Sequence, residues 1–261
     1  MKKLILVLIF TLTILSCGQY QKVLNSNDPH KMYLLGTELY KKGKYPKAER
    51  LFALAENAYI GKPQYERLKF MRAMSLYHMR QYMSAGYEFR QFVNLFPNSS
   101  KNDEAYFYII KCYQKLTPDY TRDLQYAEKT LEESERFFEL YPQSKYIPQV
   151  KEISKEAFHK LQRKEFAHGK LYYDLGYYKS AVIALDNFLS DYPGTVFKED
   201  ALYYRFLAAA QLALNSVESK KAERTETALH YFEIFKNRFP QSKYLKTAEN
   251  YYKKLKKQSQ L

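Results

Sequence analysis

A chain of 261 residues with a formal net charge of +14 is long enough for one or two globular domains, and its basic balance points to nucleic acid, an anionic membrane surface or an acidic protein as partner. Only 8 Gly and 9 Pro stand against 27 Tyr and 17 Phe, with no Trp, so turns are few and aromatic packing is heavy. That profile points away from an α/β enzyme and toward a long helical array.

The chain opens on Lys2-Lys3, an apolar run from Leu4 to Leu15, and Ser16-Cys17. A short positive segment, a short apolar stretch and a small residue before the cut read as a secretory signal peptide over 1–16. The run is too short to span a bilayer, which takes roughly 20 apolar residues. A cysteine placed directly after Ser16 resembles the lipobox of bacterial lipoproteins, which implies that Cys17 is diacylated and that residues 17–27 form a lipidated tether. No other cofactor is expected. Export and lipidation also take nucleic acid off the list of partners. If Cys17 is acylated, Cys112 is left without a disulfide partner, and its apolar setting in Tyr106–Leu116 predicts a buried, inert thiol.

Beyond the tether, four tetrapeptides recur: Phe96-Pro97-Asn98-Ser99, Tyr141-Pro142-Gln143-Ser144, Tyr192-Pro193-Gly194-Thr195 and Phe239-Pro240-Gln241-Ser242. A Phe precedes each by four residues, at Phe92, Phe137, Phe188 and Phe235. Intervals of this size fit one helix hairpin plus insertions. The pattern predicts helices over 29–42, 46–59, 63–79, 83–95, 102–116, 122–140, 147–175, 178–190, 198–214 and 221–238, followed by a strongly basic helix over 243–257. Within them, Leu35-Gly36, Tyr40, Gly43, Tyr45, Ala48 and Phe52 follow the tetratricopeptide pattern, as do Gly169, Tyr173, Gly176, Tyr178 and Ala181. Met32 and Lys69 stand where that pattern has Trp. Gly36, Ala73 and Gly169 are expected where paired helices come closest, facing Ala48, Ala85, Ala181 and Ala228, because helix axes pack only about 8–10 Å apart. The proline ends each second helix, and the Ser or Thr after it is expected to cap the next one. The predicted fold is all-α, a right-handed α-solenoid of about five tetratricopeptide hairpins with a C-terminal capping helix.

Chemistry is nearly silent. The five histidines show no metal-ligand spacing, and no phosphate loop, nucleophile elbow or Cys–His constellation stands out. No enzyme is expected. The acidic stretch from Asp119 to Glu139, including Glu132-Glu133, reads as a solvated face. What the repeats offer instead is an aromatic ladder: two outward positions per first helix, seven apart, holding Tyr33 and Tyr40, Phe70 and Tyr77, Tyr106 and Tyr113, and Phe166 and Tyr173, and fading in the last hairpin to Leu202 and Ala209. Stacked aromatics in a groove can hold extended peptide, and they can equally serve to pack adjacent hairpins.

A lipobox and five hairpins with aromatic-Pro-x-Ser/Thr junctions together resemble the BamD (ComL/YfiO) family. The resemblance implies a periplasmic lipoprotein of the outer membrane that binds the POTRA domains of the barrel subunit BamA and helps receive and insert unfolded outer-membrane β-barrel proteins. It makes Cys17 the anchor and makes Tyr33, Tyr40, Phe70, Tyr77, Tyr106 and Tyr113 the candidate receptor for an aromatic-ended barrel strand. Residues 28–142 would recognise substrate. Residues 143–261, with Tyr173, Arg205 and the basic terminal helix, would dock the barrel subunit. A scaffold for pilus assembly, cell division or peptidoglycan enzymes is the rival reading, and an enzyme or glycan-binding lipoprotein is a second.

Overall fold

The computed structural model describes residues 18–258, so the predicted signal peptide and Cys17, the predicted site of lipidation, lie outside the described residues. After a helical segment at 18–25 come α1 (Pro29–Lys41), α2 (Tyr45–Ala55) with a 3-10 turn at Glu56–Tyr59, α3 (Tyr65–His78), α4 (Tyr82–Leu95), α5 (Asn102–Leu116), α6 (Gln125–Leu140), α7 (Ile147–Asp174), α8 (Tyr178–Asp191), α9 (Lys198–Leu214), α10 (Glu218–Arg238) and α11 (Leu245–Gln258). The described residues contain no strand. The protein is all-α, and each predicted helix is present with its ends within a few residues of expectation.

Sequence dictates the ends of these helices. Asp28 caps α1 by accepting from the His30 and Lys31 amides at 2.9 and 3.2 Å, with Pro29 in the first turn where its missing N–H costs nothing. Three hairpins close by one device. The amide of Lys44 reaches the Leu39 carbonyl, that of Gln81 reaches Leu76, and that of Tyr177 reaches Tyr172, each about 2.9–3.0 Å. This closure puts the residue before the donor in the left-handed region, filled by Gly43, Gly176 and, in the second hairpin, Arg80 at φ 61°. Just across each turn the tyrosine of the first helix meets one at the start of the second: Tyr40 with Tyr45, Tyr77 with Tyr82 and Tyr173 with Tyr178, at 5.5–5.9 Å between centroids.

The four aromatic-proline junctions share a second device. The aromatic amide closes its helix on the Phe four residues back, and the Ser or Thr amide then bonds to the aromatic's carbonyl. Phe92, Phe137, Phe188 and Phe235 are all at most 2% exposed and pack on the junction aromatic. The Ser and Thr hydroxyls do not cap the next helix as expected, because they stand too early in the chain. They accept from the amide two residues on, and three of them also donate back to the first helix of their own hairpin: Ser99 to Glu66, Ser144 to Asp103 and Thr195 to Gln162. The junction thus ties both helices of a hairpin together.

The described chain groups into two compact units. One holds the residues up to Pro118 with Gln125–Ala157, and the other holds Asp119–Leu124 with the residues from Phe158 onward, so the division falls inside α7. The first unit is built on two clusters. One centres on Met32, Leu35, Leu51, Phe52 and Leu68, the other on Phe89, Phe92, Ile109, Ile110 and Phe137. Cys112 lies in the second, fully buried as predicted, and burial pushes its thiol up to about 12. The second unit packs Leu185, Phe188 and Ala201 together, and Phe206, Phe232 and Phe235 against α11. Ala248 and Leu255 of α11 are fully buried while Lys243, Lys246, Lys253, Lys254 and Lys257 face solvent, which is how a terminal helix covers an apolar end.

Both glycines expected at close approaches are there. A Cβ at Gly36 would fall 2.9 Å from Cε1 of Phe52, and one at Gly169 would fall 2.7 Å from Cδ2 of Leu185, both neighbours being fully buried. Gly169→Val is therefore expected to destabilise the second unit by about 1–3 kcal/mol, the usual cost of overpacking, as measured by urea denaturation. An unchanged midpoint would show that α7 and α8 have room to separate.

Candidate functional site

Within the first unit, α1, α3 and the start of α5 border an open groove of about 530 Å³. Its floor is apolar: Phe70, Met71 and Met74 from α3 with Phe92 from α4, and Tyr40 of α1 forms one wall. Phe70 is held edge-to-face by Phe89 and Phe92 at 5.9 and 5.4 Å. Charges ring the mouth. Arg67 is exposed, while the Lys101 ammonium lies 4.9 Å from the Phe70 ring centre and 2.7 Å from Glu104. Tyr40 is pushed up to about 12, first by burial and then by Tyr45, Tyr108 and Glu104, so it stays a neutral phenol.

A second, shallower groove of about 430 Å³ lies between α5 and the first turns of α7, lined by Phe107, Lys111, Gln114, Pro148, Glu152 and Ile153. Lys111 stands over Phe107, Tyr77 and Tyr108 at 5.4, 5.7 and 5.7 Å. Burial, then the charge of Lys115, lowers its affinity for a proton below that of an ordinary lysine. Apolar floors with a few charged groups at the rim are what a peptide-binding groove needs.

The predicted ladder fares unevenly. Tyr40 and Phe70 line the larger groove. Tyr33 is buried against Tyr59 at 4.9 Å. Tyr77 is half-buried among Tyr82 and Tyr108, and Tyr113 is half-buried in a stack with Tyr126. Tyr106 is 2% exposed, its hydroxyl donates to Glu133 at 2.6 Å, and the Arg90 guanidinium covers its ring at 5.0 Å. The first position of each pair turns inward rather than outward because the neighbouring helices crowd it, and the matching Leu202 and Ala209 of the last hairpin are buried too. Arg67, Lys101 and Lys111 escaped the repeat pattern because they do not recur. Lys111 alone left a signal, as a lone cation inside the aromatic run Tyr106–Tyr113.

The two residues singled out for docking are also held internally, in the second unit. Tyr173 is half-buried beside Tyr178 and Tyr204, and burial followed by its tyrosine neighbours pushes it up to about 12. Arg205 is 9% exposed, donates to Asp186 at 2.7 Å, and lies 4.0 Å from the Tyr231 ring, whose hydroxyl donates to the same Asp186. Glu133 departs from the expectation of a solvated acidic face, since Arg90 and Tyr106 draw it into the core, whereas Glu128, Glu132, Glu135 and Glu139 are not buried. Among the described residues no cluster of His, Cys, Asp and Glu could hold a metal ion, and no helix is long and apolar enough to cross a membrane.

The model of a family described as "YfiO: Outer membrane lipoprotein" matches residues 25–225 and 167–258. A protein of Aquifex aeolicus (strain VF5), provisionally named outer membrane protein assembly factor BamD, is 26% identical over 212 residues, covering 80% of this chain and 69% of its own. The crystal structure of a thermophilic TPR protein of Thermus thermophilus overlays with a TM-score of 0.34 at 17% identity, over 86% of this chain and 98% of that one.

Proposed function

The chain belongs to the YfiO family of outer membrane lipoproteins, and from that membership we propose that it is a non-enzymatic assembly factor that binds unfolded outer-membrane β-barrel proteins through the groove of its first unit. Cys17 carries the lipid that holds it at the periplasmic face. The second unit, with the exposed lysines of α11, docks the POTRA domains of a BamA-like barrel subunit. Tyr173 and Arg205 serve that docking by fixing the surface from inside. The observation that supports substrate binding most directly is the groove itself: an apolar floor of Phe70, Met71 and Met74, the neutral Tyr40 as a wall, and Arg67 and Lys101 at its mouth. An extended segment ending in an aromatic ring and a carboxylate matches both features, ring to floor and carboxylate to cation.

The tagged full chain, solubilised in detergent, is expected to copurify a barrel protein that bears periplasmic domains. Recovery of only cell-wall enzymes or pilus subunits would reject the assembly role. For the groove, the sharper test avoids the buried Phe70 and uses Arg67→Ala with Lys101→Ala. Binding of a fluorescent barrel C-terminal peptide is expected to weaken on the order of tenfold, about 1.4 kcal/mol, with the helix content unchanged. Equal affinity in the double variant would place the peptide elsewhere.

A further inference from the structure

A smaller cavity, of about 250 Å³, sits between the leading helical segment and the first hairpin. Gln19, Tyr20, Glu38, Lys42, Lys44 and Lys47 line it, so three ammonium groups face one carboxylate. Lys42 already pairs with Glu38, one turn earlier on α1. Lys47 stands 5.0 Å from the Tyr20 ring centre. Lys44 has no carboxylate partner among the described residues, and the turn at Gly43, at φ 70°, is what brings it beside the other two. The cavity keeps its shape because Tyr20, Val23 and Leu24 of the leading segment pack on the Met32, Leu35 and Leu51 core.

We propose that this cavity binds the phosphate headgroup of an anionic phospholipid in the membrane that carries the protein. Charge and size favour a single phosphate: the surplus of cations is small, and the space fits a headgroup but no folded partner. Position favours a lipid over free phosphate. Gln19 follows Cys17 by two residues, and two residues span at most about 7 Å, so a lipid on Cys17 holds this cavity at the headgroup layer. Basic side chains at that depth are drawn to anionic lipid, and the pull fades within a Debye length. The site deepens the lipoprotein reading and rests on it. It adds a second contact that fixes how the first hairpin faces the bilayer.

The test uses the mature chain, residues 17–261 without the apolar 1–16 segment that would itself enter a bilayer, carrying Cys17→Ala, which removes the acyl anchor and leaves the cavity. This protein is expected to sediment with phosphatidylcholine vesicles that contain phosphatidylglycerol and to stay in solution with phosphatidylcholine alone. Adding Lys42→Gln, Lys44→Gln and Lys47→Gln should weaken that binding on the order of tenfold with no change in thermal midpoint, whereas Lys253→Gln, Lys254→Gln and Lys257→Gln in α11 should leave it nearly unchanged. Equal binding after the first triple substitution, or loss only after the second, would overturn the proposal. Failure of the anchor is read separately. Mass spectrometry of the unsubstituted chain would then show Cys17 without acyl groups, whatever the vesicles report.

Discussion

Lys69→Met is expected to destabilise the first unit by about 3–5 kcal/mol, read from urea denaturation followed by circular dichroism. Lys69 is 4% exposed, and its ammonium reaches both Glu56 and Glu88. Arg72 joins the same cluster by pairing with Glu49, Glu56 and Glu88. Burial alone would lower the proton affinity of Lys69, but hydrogen bonds to Glu88 and Glu56 outweigh it and hold the proton more tightly than an ordinary lysine does. Two cations therefore face three carboxylates at the seam of the first two hairpins. Removing Lys69 leaves all three carboxylates to one guanidinium, with their desolvation uncompensated. Glu88→Gln should cost less, because it leaves two cations facing two carboxylates. If Lys69→Met were neutral and Glu88→Gln severe, the cluster would be organised around Arg72 instead.

Arg90→Leu is expected to cost on the order of 3 kcal/mol at neutral pH, with a loss that shrinks as the solution is acidified. Glu133 is buried and accepts from Arg90 and from the Tyr106 hydroxyl. Burial raises its proton affinity, but the bonds from Arg90 and Tyr106 and the guanidinium charge overcome that and hold the carboxyl below its usual 4.5. A depressed folded-state value means that the stabilisation is fully present above the unfolded value and is lost as pH falls through the folded one. Wild type and Arg90→Leu should thus converge below pH 4.5, where Glu133 takes up its proton. A stability difference that persists undiminished well below pH 4.5 would assign the effect to lost packing on the Tyr106 ring.

The two ion clusters show where a sequence stops being readable. Lys69 stands at the place the repeat pattern gives to Trp, which by itself says only that something other than an indole fills that slot. Its partners come from 13 and 19 residues away and follow no spacing rule. Glu133 looked like one more member of an acidic helix face, and the Arg90 that neutralises it lies on a different helix. The ladder came out uneven for a related reason. Spacing of seven places two residues on the same side of a helix, but it does not say whether that side meets solvent or the next hairpin, and Tyr33, Phe70 and Tyr106 meet neighbours.

The sequence by itself determined the helices, their turns and their closest approaches. Gly43 and Gly176, the aromatic-proline junctions, and Gly36 and Gly169 act over a few residues or at one narrow gap, and such local constraints repeat visibly along a chain. It also carried the family, since the lipobox-like start and the repeat signature are linear patterns. Tertiary structure alone decided which tyrosines are buried, which lysines are paired and where the open grooves lie. Those depend on how unlike side chains from separate helices share volume and charge, and no periodicity records that.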